Sequence, residues 1–255
     1  MPHDFNTKVL GETAHRPWPM PDRAWIMTQT WHELLFAHWP VEDRLLAPKI
    51  PPQFELDLFD GSAWLGIVPF HMTNVAPRFV PALPWISAFP ELNVRTYVRA
   101  GGKPGVYFFS LDATNPLAVT AARSWLNLPY FTASMSVEAT GRSIHYYSRR
   151  KGLRGLGELA AEYEPDGPPF QALAGSLEYF LTERYCLYAI DRKARPYRLD
   201  IHHPPWPLQI ADAWFDRNSM AEASGIRLPG SKPLLHFAKR QDMVGWAPEM
   251  LSAEC

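Results

Sequence analysis

The stretch "ELNVRTYV", residues 91–98, gathers residue types able to do chemistry within a few positions. As a strand it sends Glu91, Asn93, Arg95 and Tyr97 to one face and Leu92, Val94, Thr96 and Val98 to the other. An arginine on such a face can hold a carboxylate or another oxyanion through its planar fork of donors, and a neighbouring glutamate can serve as acid or base. Two plainer arrangements use the same residues: a face turned to water, or a buried Glu91–Arg95 cluster that satisfies itself. The segment "AGGKPG" turns the chain back into "VYFFSLDA", so residues 91–112 read as a hairpin. That pairing sets the aromatic residues 107–109, Phe109 among them, beside Arg95 and Tyr97.

Other chemistries fail on spacing. "HELLF" at 32–36 opens like a zinc-protease helix, but Phe36 stands where the second histidine belongs and His38 is out of register. His202 and His203 are adjacent, so a strand points them to opposite faces. No metal site is expected from the nine histidines. There is no G-x-S-x-G elbow, and the glycines of "GLRGLG" do not join a strand to a helix as a nucleotide fingerprint requires. No cofactor is expected.

The elements that must position the polar face are short and separated by many of the 26 prolines. Residues 1–24 read as an irregular arm, since "RPWPMPDR" cannot hold a helix. The apolar run "AWIMTQTWHELLFAHW" divides, with a strand in its second half, and "PVEDRLLAPKI" follows as a short helix with Pro40 in its first turn. Asp60-Gly61 is the strongest hairpin signal and pairs 54–59 with 62–72. Asn115 caps a helix that ends before Pro129, and "YFTASMSVEATGRSIHYYSRR" makes a hairpin at Thr140-Gly141. "SRRKGLRG" at 148–155 reads as a solvated basic loop, followed by further polar loop. "SLEYFLTERYCLYAID" gives a helical turn or two and then a strand, and "YRLDIHH" another strand. No linker divides residues 25–255, which are expected to form one domain of mixed α and β with a large antiparallel sheet closing on itself.

Composition bounds the partners. Apolar residues make up 47% and aromatics 13%, enough for a substantial core, and the formal charge is -1. A balanced surface of that kind argues for no nucleic acid and no membrane as main partner. The chain shows no signal-peptide pattern and no run of about 18 apolar residues. Two cysteines, Cys186 and Cys255, make no disulfide framework, so a cytoplasmic setting is expected. Assembly into a homo-oligomer is left open.

The segments "LLFAHWPV", "FDGSAWLGIVPF", "PELNVRTYV", "GVYFFSLDA", "LPYFTASM", "LTERYCLY" and "HHPPWPL" together resemble the YqjF-like family of bacterial proteins, which has no assigned function. That family is in turn similar to the acetoacetate decarboxylase-like superfamily. The resemblance implies a cone-like closed antiparallel barrel with peripheral helices and an internal pocket. It also implies that Glu91 matches a pocket glutamate of the decarboxylases and that "PYF" at 129–131 matches their Pro-Lys-Lys segment. Tyr130 and Phe131 stand where both lysines should be, and a Schiff base needs a primary amine. The early-strand arginine of the decarboxylases is replaced within "FAHWPV" by His38 and Trp39. The expectation is therefore a small-molecule-binding barrel without Schiff-base chemistry.

Glu91 and Tyr130 are the candidate catalytic residues, Tyr130 as a phenol donor to the same ligand. Arg95, Tyr97, Trp39, His71, Arg123 and Phe109 are the candidate ligand-binding residues, with Arg123 facing solvent or clamping the mouth. His38 and the triplet Glu183, Arg184, Tyr185 can serve structure as readily as binding, and Trp64, Trp85 and Trp125 are further candidates for an aromatic wall. Three functions remain open: binding of a modest, partly apolar acidic or carbonyl molecule; a lyase or hydratase-type enzyme using Glu91; or a structural protein with a filled barrel.

Overall fold

The computed structural model describes residues 8–82, 87–116, 119–120, 123, 126–152 and 157–251. It is mostly sheet with a few short helices. The strands are β1 (Met27–Val41), β2 (Glu55–Leu56), β3 (Ala63–Pro77), β4 (Phe89–Ala100), β5 (Lys103–Ala113), β6 (Tyr130–Thr140), β7 (Ser143–Arg150), β8 (Glu158–Phe170), β9 (Cys186–Ile190), β10 (Pro196–His202), β11 (Leu208–Asn218), β12 (Leu234–Gly245) and β13 (Glu249–Met250). They form one 13-stranded sheet in the order β13-β10-β9-β5-β6-β7-β8-β11-β12-β1-β3-β4-β2. Two further pairings, β5 with β4 and β10 with β12, carry the chain of neighbours back onto itself. Most pairings are antiparallel, but β5 pairs in parallel with β6 and with β9, where an all-antiparallel sheet was expected.

Long strands buried on both faces explain the apolar runs. In β1, Leu35, Ala37 and Trp39 pack into one core with Leu65, Ile67 and Phe237, whereas Leu34 and Phe36 pack into another with Val68, Phe70 and Met72. A strand with core on both sides shows no simple alternation in sequence. β1 runs unbroken through the region expected to divide; against β3 its register shifts twice, between Thr28 and Thr30 and, at a bulge with Glu33 at φ 53°, between His32 and Ala37. Pro40 lies within this strand opposite Trp64, so the helix starts later and is a single turn, Asp43–Leu46, followed by a 3-10 turn at Ala47–Lys49.

The hairpins at 91–112 and 130–150 form as expected, the first turning on Gly101 and Gly102 at φ 55° and 75°. The Asp60-Gly61 turn also forms, at φ 47° and 77°, but it closes only the Phe59–Ser62 bridge. β2 pairs with Val98 and Arg99 of β4 instead, because Asp57 is drawn inward to two arginines. Residues 158–170, read as polar loop, are β8, paired with β7 and β11. The expected helix after Asn115 is described only at residues 116, 119–120 and 123, all helical, and Val119 N–H donates to Asn115 O.

The arm does not hang free. Lys8–Gly11 is a 3-10 turn, Val9 packs against Val244 and Trp246, and Arg16 donates to Ile201 O at 2.9 Å while stacking on Tyr185. Gly105, on β5, marks the tightest approach in the sheet: a Cβ there would lie 2.6 Å from the Tyr188 ring and 2.8 Å from Cys186 Sγ. Gly105→Ala is expected to lower stability by about 1–3 kcal/mol, the usual range for overpacking a filled core. Urea unfolding of the variant checks this, and an unchanged midpoint would mean the ring moves aside freely.

Candidate ligand cavity

Enclosed among β1, β3, β4, β5, β9 and β10 is a cavity of about 750 Å³. Its wall is largely apolar, with Leu34, Phe36, Phe70, Met72, Phe108 and Leu111 as representative residues. One strand supplies a polar row: Glu91, Asn93 and Arg95 of β4 all line it, as alternation along "ELNVRTYV" requires. Tyr130, at the start of β6, completes this wall. Phe79 also lines the space although 82% exposed, so the cavity reaches the surface there.

Glu91 is buried, and Tyr130 donates its phenol proton to Oε2 at 2.8 Å. Burial pushes the Glu91 carboxyl up to about 7, against the pull of the Tyr130 hydrogen bond and with help from the nearby Asp112 charge. The Tyr130 phenol is raised by burial and by Glu91. Behind them Tyr146 donates to Glu91 O at 2.7 Å and fixes the strand. Asp112 is fully buried and takes a two-pronged contact from Arg150, whose guanidinium lies 3.9 Å from the Phe131 ring centre. Arg150 thus belongs to an ion pair at 12% exposure and not to a solvated loop; residues 153–156 of that basic stretch lie outside the described residues.

Arg95 has a different environment. Its Nη2 donates to Leu181 O at 3.1 Å, near the C-terminal end of the helix Leu177–Thr182, where carbonyls favour a cation. The ring centres of Phe36 and Tyr97 lie 5.3 and 5.8 Å from its guanidinium carbon. Among the described residues no carboxylate pairs with it, and its buried Nε has no hydrogen-bond partner. The self-satisfying Glu91–Arg95 cluster, one of the plainer alternatives, is not formed: Glu91 is held by Tyr130 and Arg95 by a backbone carbonyl. Asn93 Oδ1 and Trp206 Nε1 are likewise buried without partners on this cavity.

The other five candidate ligand-binding residues do not line the cavity. Tyr97 is completely buried beneath it and donates to Leu181 O at 2.7 Å, so its oxygen accepts from His38 Nε2 at 2.6 Å. His38 is held neutral by burial and by Arg95. Trp39 faces the opposite core and packs on Phe215. His71 alternates away from Phe70 and Met72 and sits beside His32. Phe109 is displaced by a bulge: Val94 pairs with Ser110 but Arg95 with Phe108, so Phe108 takes the cavity side. Arg123 is exposed and lines a separate outer hollow of about 480 Å³ with Arg192, which shares Tyr130 with the inner cavity. Trp64 packs with Tyr97 outside the lining, and Trp85 and Trp125 lie outside the described residues.

The cavity's other functional side chains come from places sequence reasoning treated as structural. Arg184 lines it while its Nη1 donates to Asp57 at 2.7 Å. His203 and Trp206, from "HHPPWPL", line it too, and so do Trp25 and Trp31. Burial lowers His203 to about 4, and its ring stacks on Tyr185 at 4.7 Å. The usable signal was parity: if Leu199 and Ile201 face inward, His203 does so and His202 does not. His202 instead meets Val9 O of the arm at 2.8 Å. Glu183 accepts from Tyr185 and from Trp206 N, which makes it an internal support. Among the described residues no set of three or more His, Cys, Asp or Glu converges as metal ligands, and no helix is long and apolar enough to cross a membrane.

Comparison with known proteins agrees with this architecture. The protein from Bacillus subtilis strain 168 called "Uncharacterized protein YqjF" is 50% identical over 227 residues, 89% of this chain and 93% of that protein. Acetoacetate decarboxylase from Legionella pneumophila superposes with a TM-score of 0.61 at 12% identity, covering 95% of this chain and 94% of that one. The enduracididine biosynthesis enzyme MppR, solved in complex with pyruvate, also gives 0.61 at 12% identity over 96% and 95% of the two chains. At such identity these two solved structures establish the fold alone. Residues 28–242 match the family described as "Uncharacterized conserved protein (COG2071)", and the chain therefore belongs to this YqjF-containing DUF2071 family.

Proposed function

We propose that this protein binds a small, partly apolar molecule carrying an acidic or carbonyl group inside the cavity, and does so without Schiff-base decarboxylation. The observation that carries this reading is Arg95: a cation on the wall of an apolar cavity, oriented by Leu181 O and without a carboxylate partner among the described residues. A half-buried guanidinium whose Nε is sealed from water and unpaired gains from a ligand that supplies the opposite charge. The lining residues described include no lysine, and Tyr130 occupies the position of the Schiff-base lysine in the resemblance. We read the returning chain of strand pairings as the cone-like barrel, with residues 25–255 one unit strapped by the arm. A buried free Cys186 accords with a cytoplasmic setting.

Thermal denaturation with millimolar 2-oxo acids and straight-chain carboxylates tests this, since a ligand of the native state raises apparent stability. Arg95→Met is expected to weaken carboxylate binding about tenfold to a hundredfold, the worth of a charge-assisted hydrogen bond. Equal shifts in wild type and variant would overturn the assignment. A second reading, a lyase or hydratase-type enzyme, is favoured by one feature: Glu91 titrates near 7 while hydrogen-bonded to Tyr130. In that case Glu91 removes a proton from the carbon beside the carbonyl, and NMR in deuterated water detects exchange there that Glu91→Gln abolishes. Absence of exchange in the wild type would leave binding alone.

A further inference from the structure

The cavity is larger and longer than a keto acid needs. At about 30 Å³ per water-sized group, a four-carbon keto acid would fill about 200 Å³, well under a third of the 750 Å³ present. The remainder is bounded by apolar side chains, which lose packing contacts if left facing a void. On β3 the lining positions run from Val68, opposite Asn93, to Pro77, about 30 Å of strand at roughly 3.3 Å per residue. The row Glu91, Asn93 and Arg95 belongs to β4, with Arg95 at its inner end, and the far end opens beside Phe79, where the Arg78 guanidinium lies over the Phe79 ring. Four buried atoms of lining residues have no hydrogen-bond partner: Arg95 Nε, Asn93 Oδ1 and Trp206 Nε1, and Arg78 Nε, whose guanidinium is covered by the Trp25 and Phe79 rings.

We infer that the ligand is an elongated amphipathic monocarboxylate, its carboxylate on Arg95 and an apolar tail lying along β3 toward Phe79, roughly ten to twenty heavy atoms in all. This rests on the reading of Arg95 as the carboxylate anchor. The tail supplies what the apolar walls lack, and its length follows from the run of lining positions on a single strand. Asn93 lies between the two ends and can donate to an oxygen near the carboxylate or accept from a hydroxyl there. A short keto acid would satisfy Arg95 and leave most of the cavity unfilled.

Isothermal titration of the intact protein with straight-chain carboxylates from butanoate to hexadecanoate, their methyl esters, and pyruvate tests the inference. Affinity is expected to rise about fourfold per added methylene until the tail reaches Phe79, and then to level off. Methyl esters are expected to bind at least about tenfold more weakly, a preference that Arg95→Met removes while chain-length dependence survives. Met72→Trp, midway along the lining positions of β3, should shorten the preferred chain, with circular dichroism confirming that this variant is folded. If pyruvate binds as tightly as decanoate, the tail is refuted and the small-ligand reading stands. If no carboxylate of any length binds, or esters bind equally well, both readings fall together.

Discussion

Asp57→Ala is expected to destabilise the fold by about 3–5 kcal/mol, the cost of leaving one member of a buried ion pair alone. Asp57 is 3% exposed and divides its oxygens between two arginines: Oδ2 receives Arg184 Nη1 at 2.7 Å and Oδ1 receives Arg99 Nε at 2.6 Å. The two are not equivalent. Arg99 is 47% exposed and can return to water, so its share is small. Arg184 is 5% exposed, wedged between the rings of Tyr97 and Phe180 with its Nε on Phe180 O, and has nowhere to go. Out of a typical total of about 5–15 kcal/mol, such a loss leaves the variant close to unfolding at room temperature. Arg184→Met placed on top of Asp57→Ala should recover much of it, because the orphaned charge disappears. Urea unfolding of the single and double variants measures both values; a single-variant loss below about 1 kcal/mol would mean that water already reaches this pair.

That pair matters to the cavity because Arg184 and Arg95 both face its inner part, and of these two Arg95 alone has no carboxylate to hold it. Asp57 neutralises Arg184 from outside the lining, and Asp112 does the same for Arg150 behind Phe131. Of the arginines that line the chamber, Arg184 is thereby assigned a carboxylate, whereas Arg95 beside the polar row and Arg78 near Phe79, its guanidinium over the Trp25 and Phe79 rings, have none among the described residues. The decarboxylase pattern would place a second lysine at Phe131; here the cation next to that position is Arg150, drawn onto Asp112 and covered by the Phe131 ring.

How far this could be read from sequence depends on what each strand packs against. "ELNVRTYV" was legible because its two faces differ in polarity, one apolar and one carrying Glu91, Asn93 and Arg95. Trp39 and His71 were misplaced because β1 and β3 are buried on both faces, so "LLFAHW" and "LGIVPFHM" carry no polarity difference from which to choose a parity. Phe109 was lost to a bulge, a one-residue insertion that inverts parity and leaves no mark in composition. Tyr97 has the correct parity, but at that level the row has passed below the cavity floor, where His38 and Leu181 O take its hydroxyl. β8 escaped because Pro165, Gly167, Pro168 and Pro169 mimic a loop; the strand tolerates them at its irregular far end, where Leu208 and Ile210 of β11 skip a register step. The family resemblance correctly indicated the decarboxylase-like fold, which short-range patterns alone left open.

Glu91→Gln is expected to make stability less dependent on pH, by about 3 kcal/mol between pH 4.5 and 8. In the native state burial holds the Glu91 carboxyl up to about 7, whereas its ordinary value is 4.5. Between those values the folded chain keeps a proton that the unfolded chain has released. Stability contributed by this group is therefore fully present below about pH 4.5, falls as pH rises toward 7, and is constant above. Asp112 and Glu183 are raised by burial as well and tilt the whole curve in the same direction, so the informative quantity is the difference between variant and wild type. Glutamine keeps the Tyr130 hydrogen bond, since its carbonyl oxygen accepts as Oε2 does, and carries no charge to desolvate. The variant should thus gain on the wild type as pH rises, and urea unfolding at pH 5, 6, 7 and 8 reads that gain directly. Parallel curves would place water at Glu91 and remove the physical basis for acid–base chemistry in this cavity. A divergence of the expected size would mean that near neutrality the carboxyl is divided between its two forms, one able to give a proton to a carbonyl oxygen and the other able to take one from carbon.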